Sequence, residues 1–461
     1  MFKVLKNLKE SWISVITIVL LLIVQAAGDL TLPDYTSKIV NVGIQNGGIE
    51  NVAPEVIRKS EMENMLIFTE GDDKILASYE EISKDNLDSA EYEKLVKKYP
   101  ALENESLYRI KKISSSEQDE LDSLMAKPLM MLSVTKQMPK EQLDQMLETV
   151  NQKLDDMQES ILEQAAIQEV KNEYKAIGMN TDSIQNQYII MAGLKMLGIS
   201  LIIMISAISI MCLSARVAAR LAKTLREKVF KKVLRFSNKE FSEYSTASLI
   251  TRSTNDIQQI QGLIAILFRV LVYAPIIGIG GFLRVLNQSD NSMAWIIGVA
   301  IVAILFVVAT LFIIAMPRFK KLQQLIDKLN LVAREILTGL PVIRAFNTEK
   351  KEEKRFDKAN MDLTKTNLFV NRAMSFMMPT LMLIMNGISL LIVWVGANGI
   401  DNGTMQVGNM MAFIQYTMQI VMSFLMISMV SIMLPRASVS ANRINEIIET
   451  EETIKESKEP K

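Results

Sequence analysis

The sequence contains no histidine and a single cysteine, Cys212, in 461 residues. The first absence excludes histidine metal sites and any serine–histidine hydrolase. The second means that no disulfide closes within the chain, so any folded part outside a membrane must be held by its own core. A Gly-x-x-x-x-Gly-Lys-Ser/Thr loop is also missing. Without that phosphate cradle these residues do not hydrolyse ATP alone. Charge is missing too, over residues 11–28, 196–214, 293–317, 373–400 and 402–435, and residues 263–283 are interrupted only by Arg269. Each run meets the requirement of about 18 apolar residues for a membrane-spanning helix. Six such runs predict an all-α membrane protein with six transmembrane helices.

What charge there is lies unevenly. Lys and Arg number three in residues 1–10, ten against four acids in 215–262, and thirteen against seven in 317–372. Residues 45–187 hold sixteen against twenty-nine acids, and 285–292 and 398–407 hold no base. The positive-inside rule places the N-terminus, both basic loops and the tail in the cytoplasm, and 45–187 outside. A signal peptide is not the reading for the first run, since no clear small-residue cleavage site follows it. The run instead continues past Gln25 and Asp29 to a bend at Pro33, and neither polar residue is given a function.

The expected organisation is a first helix over 1–44, an extracellular insertion over 45–187, helices two to six over 188–435, and a linker over 436–461. In the insertion, Leu143, Leu147, Val150, Leu154, Met157, Ile161 and Ala165 alternate steps of four and three, the seam of a helix that pairs with another. The earlier half is expected to be a small mixed α/β unit, an acidic cap or a gate for a partner or substrate. Helical spacing persists beyond the second span through Val217, Leu221, Leu225, Val229 and Val233, and beyond the fourth through Leu322, Leu325, Ile326, Leu329, Val332 and Ile336. A helix over residues 188–236 is roughly 70 Å long at 1.5 Å per residue. The hydrocarbon layer takes about 30 Å of that, so two long hairpins should project inward.

The tips of these hairpins carry recognisable motifs. The first reads Phe241-Ser242-Glu243-Tyr244-Ser245-Thr246-Ala247-Ser248 and continues to Arg252 and Asp256. The second reads Arg334-Glu335-Ile336-Leu337-Thr338-Gly339-Leu340-Pro341-Val342-Ile343-Arg344-Ala345-Phe346, with Glu349, Glu352, Arg355 and Phe356 after it, and the tail carries Arg443-Ile444-Asn445-Glu446. These segments, with residues 32–44, resemble the transmembrane domain of type I (type IV fold) ATP-binding-cassette exporters, in their bacterial multidrug and lipid branch. Ala247 stands where many members have glycine, and the family's first outside loop is usually short.

The resemblance implies a coupling helix at each tip, seated in a groove of a nucleotide-binding domain. The residues it assigns to that contact are Glu243, Tyr244, Ser245, Thr246 and Ala247 in the first loop and Gly339, Leu340, Pro341, Val342, Arg344 and Phe346 in the second. Glu335, Arg344 and Glu349 are expected to form ion pairs. The family's nucleotide-binding domain starts shortly after the segment matching Arg443, so the chain is expected to be a membrane domain cut at a domain boundary, or a separate permease subunit. ATP and Mg belong to that missing domain, and no cofactor or metal is expected here. A second transmembrane subunit, identical or homologous, and membrane lipid complete the expected partners; nucleic acid is not among them.

A substrate route must come from the spans. Of 30 methionines, many crowd the last two, and flexible, polarisable methionine surfaces take varied apolar partners. Met378, Met382, Met385, Met418, Met422 and Met426, with the polar Asn386 and Gln415, are the candidate lining for small amphipathic substrates such as drugs, lipids or peptides. A membrane receptor with an outside sensor explains the insertion but not the four further spans. An ion-coupled carrier would favour short cytoplasmic loops and mid-membrane charges, which are scarce.

Overall fold

The computed structural model describes residues 6, 11–69, 72–136, 159–286, 293–402, 404–451 and 453. Among the described residues, six helices are long and apolar enough to cross a membrane. The first, α1 (Trp12–Lys38), passes without interruption through Pro33 and widens only afterwards, into a π-helical turn over Ile39–Gln45. The expected bend at Pro33 is therefore not a helix break. Proline lacks an N–H, which leaves the carbonyl four residues earlier without its helical donor. That carbonyl belongs to Asp29, and Gln419 of the sixth span donates to it at 2.9 Å.

Between the first two spans lies a mixed unit. Its strands β1 (Val56–Arg58), β2 (Tyr79–Ile82) and β3 (Leu107–Ile110) form an antiparallel sheet in the order β1-β3-β2, with Ile57 opposite Tyr108 and Glu81 opposite Tyr108 on the other side. Helices α2 (Lys59–Leu66), α3 (Asp72–Ser78), α4 (Ser89–Lys98), α5 (Ser115–Lys136) and α6 (Glu159–Ile177) complete it. Val56, Ile57, Met62, Met65, Ile75, Leu107, Met125 and Ile177 are fully buried in its core. Each such side chain contributes about 1.5–3 kcal/mol, which meets the need for a core in a unit without disulfides. Strand β1 is tied to α6 by Arg58, whose backbone and guanidinium donate to the buried Glu173 at 2.9 and 2.7 Å. Residues 143–157 of the expected heptad helix lie outside the described residues; its end, from Glu159, is α6.

The second span, α7 (Thr181–Val233), has 53 residues, or about 80 Å at 1.5 Å per residue. It starts several residues before the expected position of 188. The Asn180 side chain caps it, accepting from Ser183 N, and satisfies one of the free amides at a helix start. After short helices α8 (Asn238–Glu243) and α9 (Thr246–Thr251) and a π-turn over Arg252–Asp256, the chain returns through α10 (Ile257–Phe268), a second π-turn over Arg269–Tyr273 and α11 (Ala274–Leu286). Pro275 explains the second π-turn: it denies Leu271 a donor, and Ala274 N instead reaches Arg269 O. Next come α12 (Ala294–Thr338), short α13 (Leu340–Ala345), α14 (Glu349–Asp401) and α15 (Val407–Glu449).

The bundle is joined unevenly. Helices α12 and α14 pack chiefly on each other, whereas α1, α7, α10, α11 and α15 form a second group. A core of Ala26, Ile277, Val285, Ile296, Ile297, Ile392, Phe413, Tyr416 and Ile420 joins the two groups near the end that carries the insertion. At that end α1 and α15 are also locked by polar groups. Gly408 N donates to Asn41 Oδ1 at 2.7 Å, while Ser37 Oγ and Asn41 Nδ2 donate to Asn409 Oδ1 at 2.8 and 3.1 Å. A Cβ on Gly408 would overlap Asn41 Oδ1 and the Ser37 carbonyl oxygen. Gly408→Ala should therefore lower the thermal midpoint by several degrees, at a cost of about 2 kcal/mol, whereas Gly193→Ala, inside α7 and meeting nothing within 4 Å, should hold or slightly raise it in the same scan.

Candidate functional site

The tip of the first hairpin is built by caps. Ser237 and Glu240 form a capping box on α8, with Ser237 N donating to Glu240 at 2.5 Å. Tyr244 is extended and breaks the helix, and Ser245 then caps α9 through Ser248 N. The coupling segment expected near 242–248 is thus two short helices with a step between them. Glu243, Ser245, Thr246 and Ala247 are exposed, while Tyr244 turns inward. Its ring stacks on Phe236 at 5.9 Å and carries the Arg252 guanidinium at 5.1 Å, and its hydroxyl meets Thr450 Oγ1 at 3.1 Å.

That inward turn reveals a junction with α15. Arg252 donates to the Arg443 carbonyl at 2.8 Å and to Glu446 at 2.9 Å. Ser440 donates to the buried Asp256 at 2.8 Å, and Arg443 lies 3.9 Å from the same carboxylate. Thr453 N donates to Glu240 Oε1 at 3.1 Å. The Ser237 hydroxyl first, and then the Ser237 and Thr453 backbone amides, hold the Glu240 carboxyl below the ordinary value of 4.5. The stability that the Glu240 contacts contribute is therefore fully present above that pH and is lost as pH falls through the lowered value. Sequence spacing gave no signal for this junction, because its halves lie 184 to 213 residues apart.

The tip of the second hairpin is separate. Gly339 N caps back to Glu335 O at 2.8 Å, and Pro341 occupies the first turn of α13, where its missing N–H costs nothing. Leu340, Pro341, Val342, Arg344 and Phe346 are exposed, with Phe346 at 75% and Val342 at 60%. Behind them Ile336, Leu337, Ile343 and Phe356 line an apolar cleft of about 400 Å³ rimmed by Glu349, Glu352 and Glu353. Asn347 ends the tip in the left-handed region, at φ 52. Of the expected ion pairs, Glu335 pairs with Arg355, which also contacts Glu352 at 3.3 Å. Arg344 and Glu349 form no ion pair among the described residues.

The candidate pathway residues divide between two helices. On α14, Met378, Met382 and Asn386 are exposed and Met385 is partly buried against the joining core; on α15, Met422 is exposed and Gln415, Met418 and Met426 are partly buried. No hydrogen bond among the described residues links these two sets. Sequence reading passed over a polar group that the structure does assemble across three spans. The Tyr273 hydroxyl donates to Asp29 Oδ2 at 2.6 Å, Gln419 holds the Asp29 carbonyl, Tyr416 donates to the Leu30 carbonyl at 3.0 Å and to Asp34, and Asp34 pairs with Arg284. The signal that could have found it is Pro33, four residues after Asp29.

Six spanning helices with two projecting hairpins, each ending in an exposed short helix, define a multi-pass membrane protein of the exporter type. Residues 167–424 match the ABC transporter transmembrane region, and the chain belongs to that family. It is 37% identical over 264 residues to an uncharacterised ABC transporter ATP-binding protein of Mycobacterium tuberculosis (strain H37Rv), covering 57% of this chain and 45% of the relative. It is 33% identical over 243 residues to the uncharacterised ABC transporter ATP-binding protein YfiB of Bacillus subtilis, covering 52% and 41%. An ATP-dependent lipid A-core flippase of Pseudomonas putida is 28% identical over 174 residues, covering 37% and 28%. The chain thus matches less than half the length of these relatives.

The junction at the first tip can be tested by unfolding. Arg252→Ala strands Glu446 and the Arg443 carbonyl together and removes the cation over the Tyr244 ring, and should cost about 2 kcal/mol. Glu446→Ala removes one exposed partner and should cost no more than about 1 kcal/mol. Equal thermal midpoints for the two variants would contradict the arrangement.

Proposed function

We propose that the chain forms half of the membrane pathway of an ATP-driven exporter for small amphipathic substrates, lipids among them, and works by alternating access. The observation that carries this reading is the pair of exposed tips. Helices of 53 residues are far longer than the roughly 20 needed to span a membrane, and an apolar face formed by Val342 and Phe346 at such a tip calls for a protein partner. In this family that partner is a nucleotide-binding domain, which would hold ATP and Mg and is either continuous with the chain or separate. Rigid helices transmit a rigid-body movement of that domain to the membrane far better than loops would.

A second transmembrane subunit, a copy of this chain or a homologue, would supply the other half of the pathway. The positive-inside rule puts both tips and both termini in the cytoplasm and the mixed insertion outside a bacterial plasma membrane. Two of the relatives are lipid A-core flippases by name, which supports an amphipathic cargo. The methionines of α14 and α15 suit such a cargo, because thioether side chains adapt to varied apolar shapes.

The test is made on the complete transport complex in proteoliposomes. Phe346→Ala removes an aromatic anchor whose loss from an interface typically costs about 2 kcal/mol. ATP-dependent efflux of a fluorescent amphiphile should fall by roughly tenfold or more, while the thermal midpoint stays at the wild-type value because Phe346 is solvent-exposed. Efflux at the wild-type rate in both Phe346→Ala and Val342→Asp would reject the coupling role. Efflux by the wild-type complex that ignores ATP would reject the exporter reading itself.

A further inference from the structure

Two carboxylates sit on α1 at membrane depth, and they are treated differently. Asp34 is paired with Arg284 and accepts from Tyr416. Asp29 accepts only from the neutral Tyr273 hydroxyl, at 2.6 Å, and forms no ion pair among the described residues. Arg269 approaches the same tyrosine from its ring face, 5.8 Å from the centroid, without coming within ion-pair distance of Asp29 among the described residues.

The depth of this group can be read from three helices. At 1.5 Å per residue, Gln419 lies about 18 Å from the start of α15, Tyr273 about 20 Å from the end of α11, and Asp29 about 24 Å from the end of the first span at Gln45. All three place it inside a hydrocarbon layer about 30 Å thick. An ionisable residue there is expensive and is kept facing the protein interior or a cavity, where it commonly serves function.

Its neighbours are incompletely satisfied as well. Gln419 uses its amide N–H on the Asp29 carbonyl, which leaves Oε1 buried with no hydrogen-bond partner. Gln25, one turn before Asp29 on the same face of α1, is only 5% exposed and makes no side-chain hydrogen bond to the described residues. A buried acceptor without a donor costs about 1–3 kcal/mol. Pro33 accounts for the presence of Gln419, but not for the spare oxygen or for a carboxyl without an ion-pair partner.

We propose that Asp29, with Gln25 and the free oxygen of Gln419, recognises the positively charged, hydrogen-bond-donating head group of an amphipathic substrate, as in a protonated primary amine. This assignment rests on the exporter reading and adds the chemistry of the cargo. Such a head group supplies what the site lacks: one positive charge for Asp29 and N–H donors for the two amides, while its apolar tail stays among the spans. A neutral or anionic head group supplies no charge and leaves Asp29 unpaired.

The experiment measures binding of three dansyl-alkyl probes, identical except at the head group, to the full-length transporter in nanodiscs by fluorescence titration. The heads are a primary ammonium, its neutral acetamide and its trimethylammonium. Wild type should bind the ammonium probe about tenfold or more tighter than the acetamide, a difference of about 1.4 kcal/mol, and tighter than the trimethylammonium. Asp29→Asn should abolish the preference over the acetamide and leave acetamide affinity unchanged. Gln25→Leu should weaken ammonium binding and spare trimethylammonium binding. If Asp29→Asn does not fold, Asp29→Glu serves, with a shift confined to the charged probes.

Wild-type affinities for ammonium and acetamide within twofold would overturn the proposal without any variant, and would also be the result if Arg269 neutralised Asp29. Equal affinities for ammonium and trimethylammonium would overturn the part given to the amides. A preserved preference in Asp29→Asn would move the site elsewhere. These outcomes leave the exporter reading intact. Failure of all three probes to bind wild type would instead strike at the amphipathic cargo and take this proposal with it.

Discussion

A proline in the first span sets the terms on which the bundle closes. Pro33 leaves the Asp29 carbonyl without its helical donor at a depth where water does not substitute. In hydrocarbon an unmet backbone group costs several kcal/mol. The sixth span must therefore bring a donor to that carbonyl, and Gln419 does so at 2.9 Å. One turn earlier in α15, Tyr416 reaches the next carbonyl, at Leu30, and further along Gly408 and Asn409 close on Asn41 and Ser37. Three levels of contact at steps of a few residues fix the register of α1 against α15. The apolar core of Ile277, Phe413 and Ile420 then fills the space beside them.

The two hairpins depend on this closure in different ways. The first is stapled to α15 through Tyr244–Thr450, Arg252–Glu446, Asp256–Ser440 and Glu240–Thr453. Since α15 is in turn locked to α1, a push at residues 440–453 reaches the first tip and the Asp29 group through one connected body. The second hairpin closes on itself, with Glu335 of α12 holding Arg355 of α14, and joins the remainder mainly near the insertion end. A molecule made of one braced unit and one long free hairpin has a natural hinge where the two meet.

How much of this was legible in the sequence follows from the range of each interaction. The six spans, the long projecting helices and the exposed tip around Gly339 and Pro341 were legible, because hydropathy runs, helical periodicity and turn residues are local. The sheet of the insertion was not, since β1 and β3 are short and pair across some fifty residues. The inward turn of Tyr244 was hidden for the same reason: its partner is Thr450, 206 residues away. The resemblance implied ion pairs for Glu335, Arg344 and Glu349, yet only Glu335 has one among the described residues, with Arg355, because α12 and α14 lie antiparallel and bring those two side chains level.

The polar residues of the first span show where a purely local reading misleads. Gln25, Asp29 and Pro33 fall at successive four-residue steps, and that pattern suggests a bend and nothing more. In the folded chain the helix runs on through Pro33 to Lys38, and the carbonyl that the proline frees is met by a partner helix. The difference between Asp29 and Asp34 then becomes the informative fact. Both sit on one helix and both meet a tyrosine, but only Asp34 has an arginine. The bundle provides a counter-ion, Arg284 of α11, for one carboxyl and, among the described residues, none within ion-pair distance for the other, five residues away. Structural need explains Gln419 and Tyr416, each of which satisfies a carbonyl. It does not explain Asp29, since an asparagine there would accept the Tyr273 hydroxyl equally well without bringing a charge. What the carboxylate adds over the amide is attraction for a cation, and that is the property a transport pathway can use.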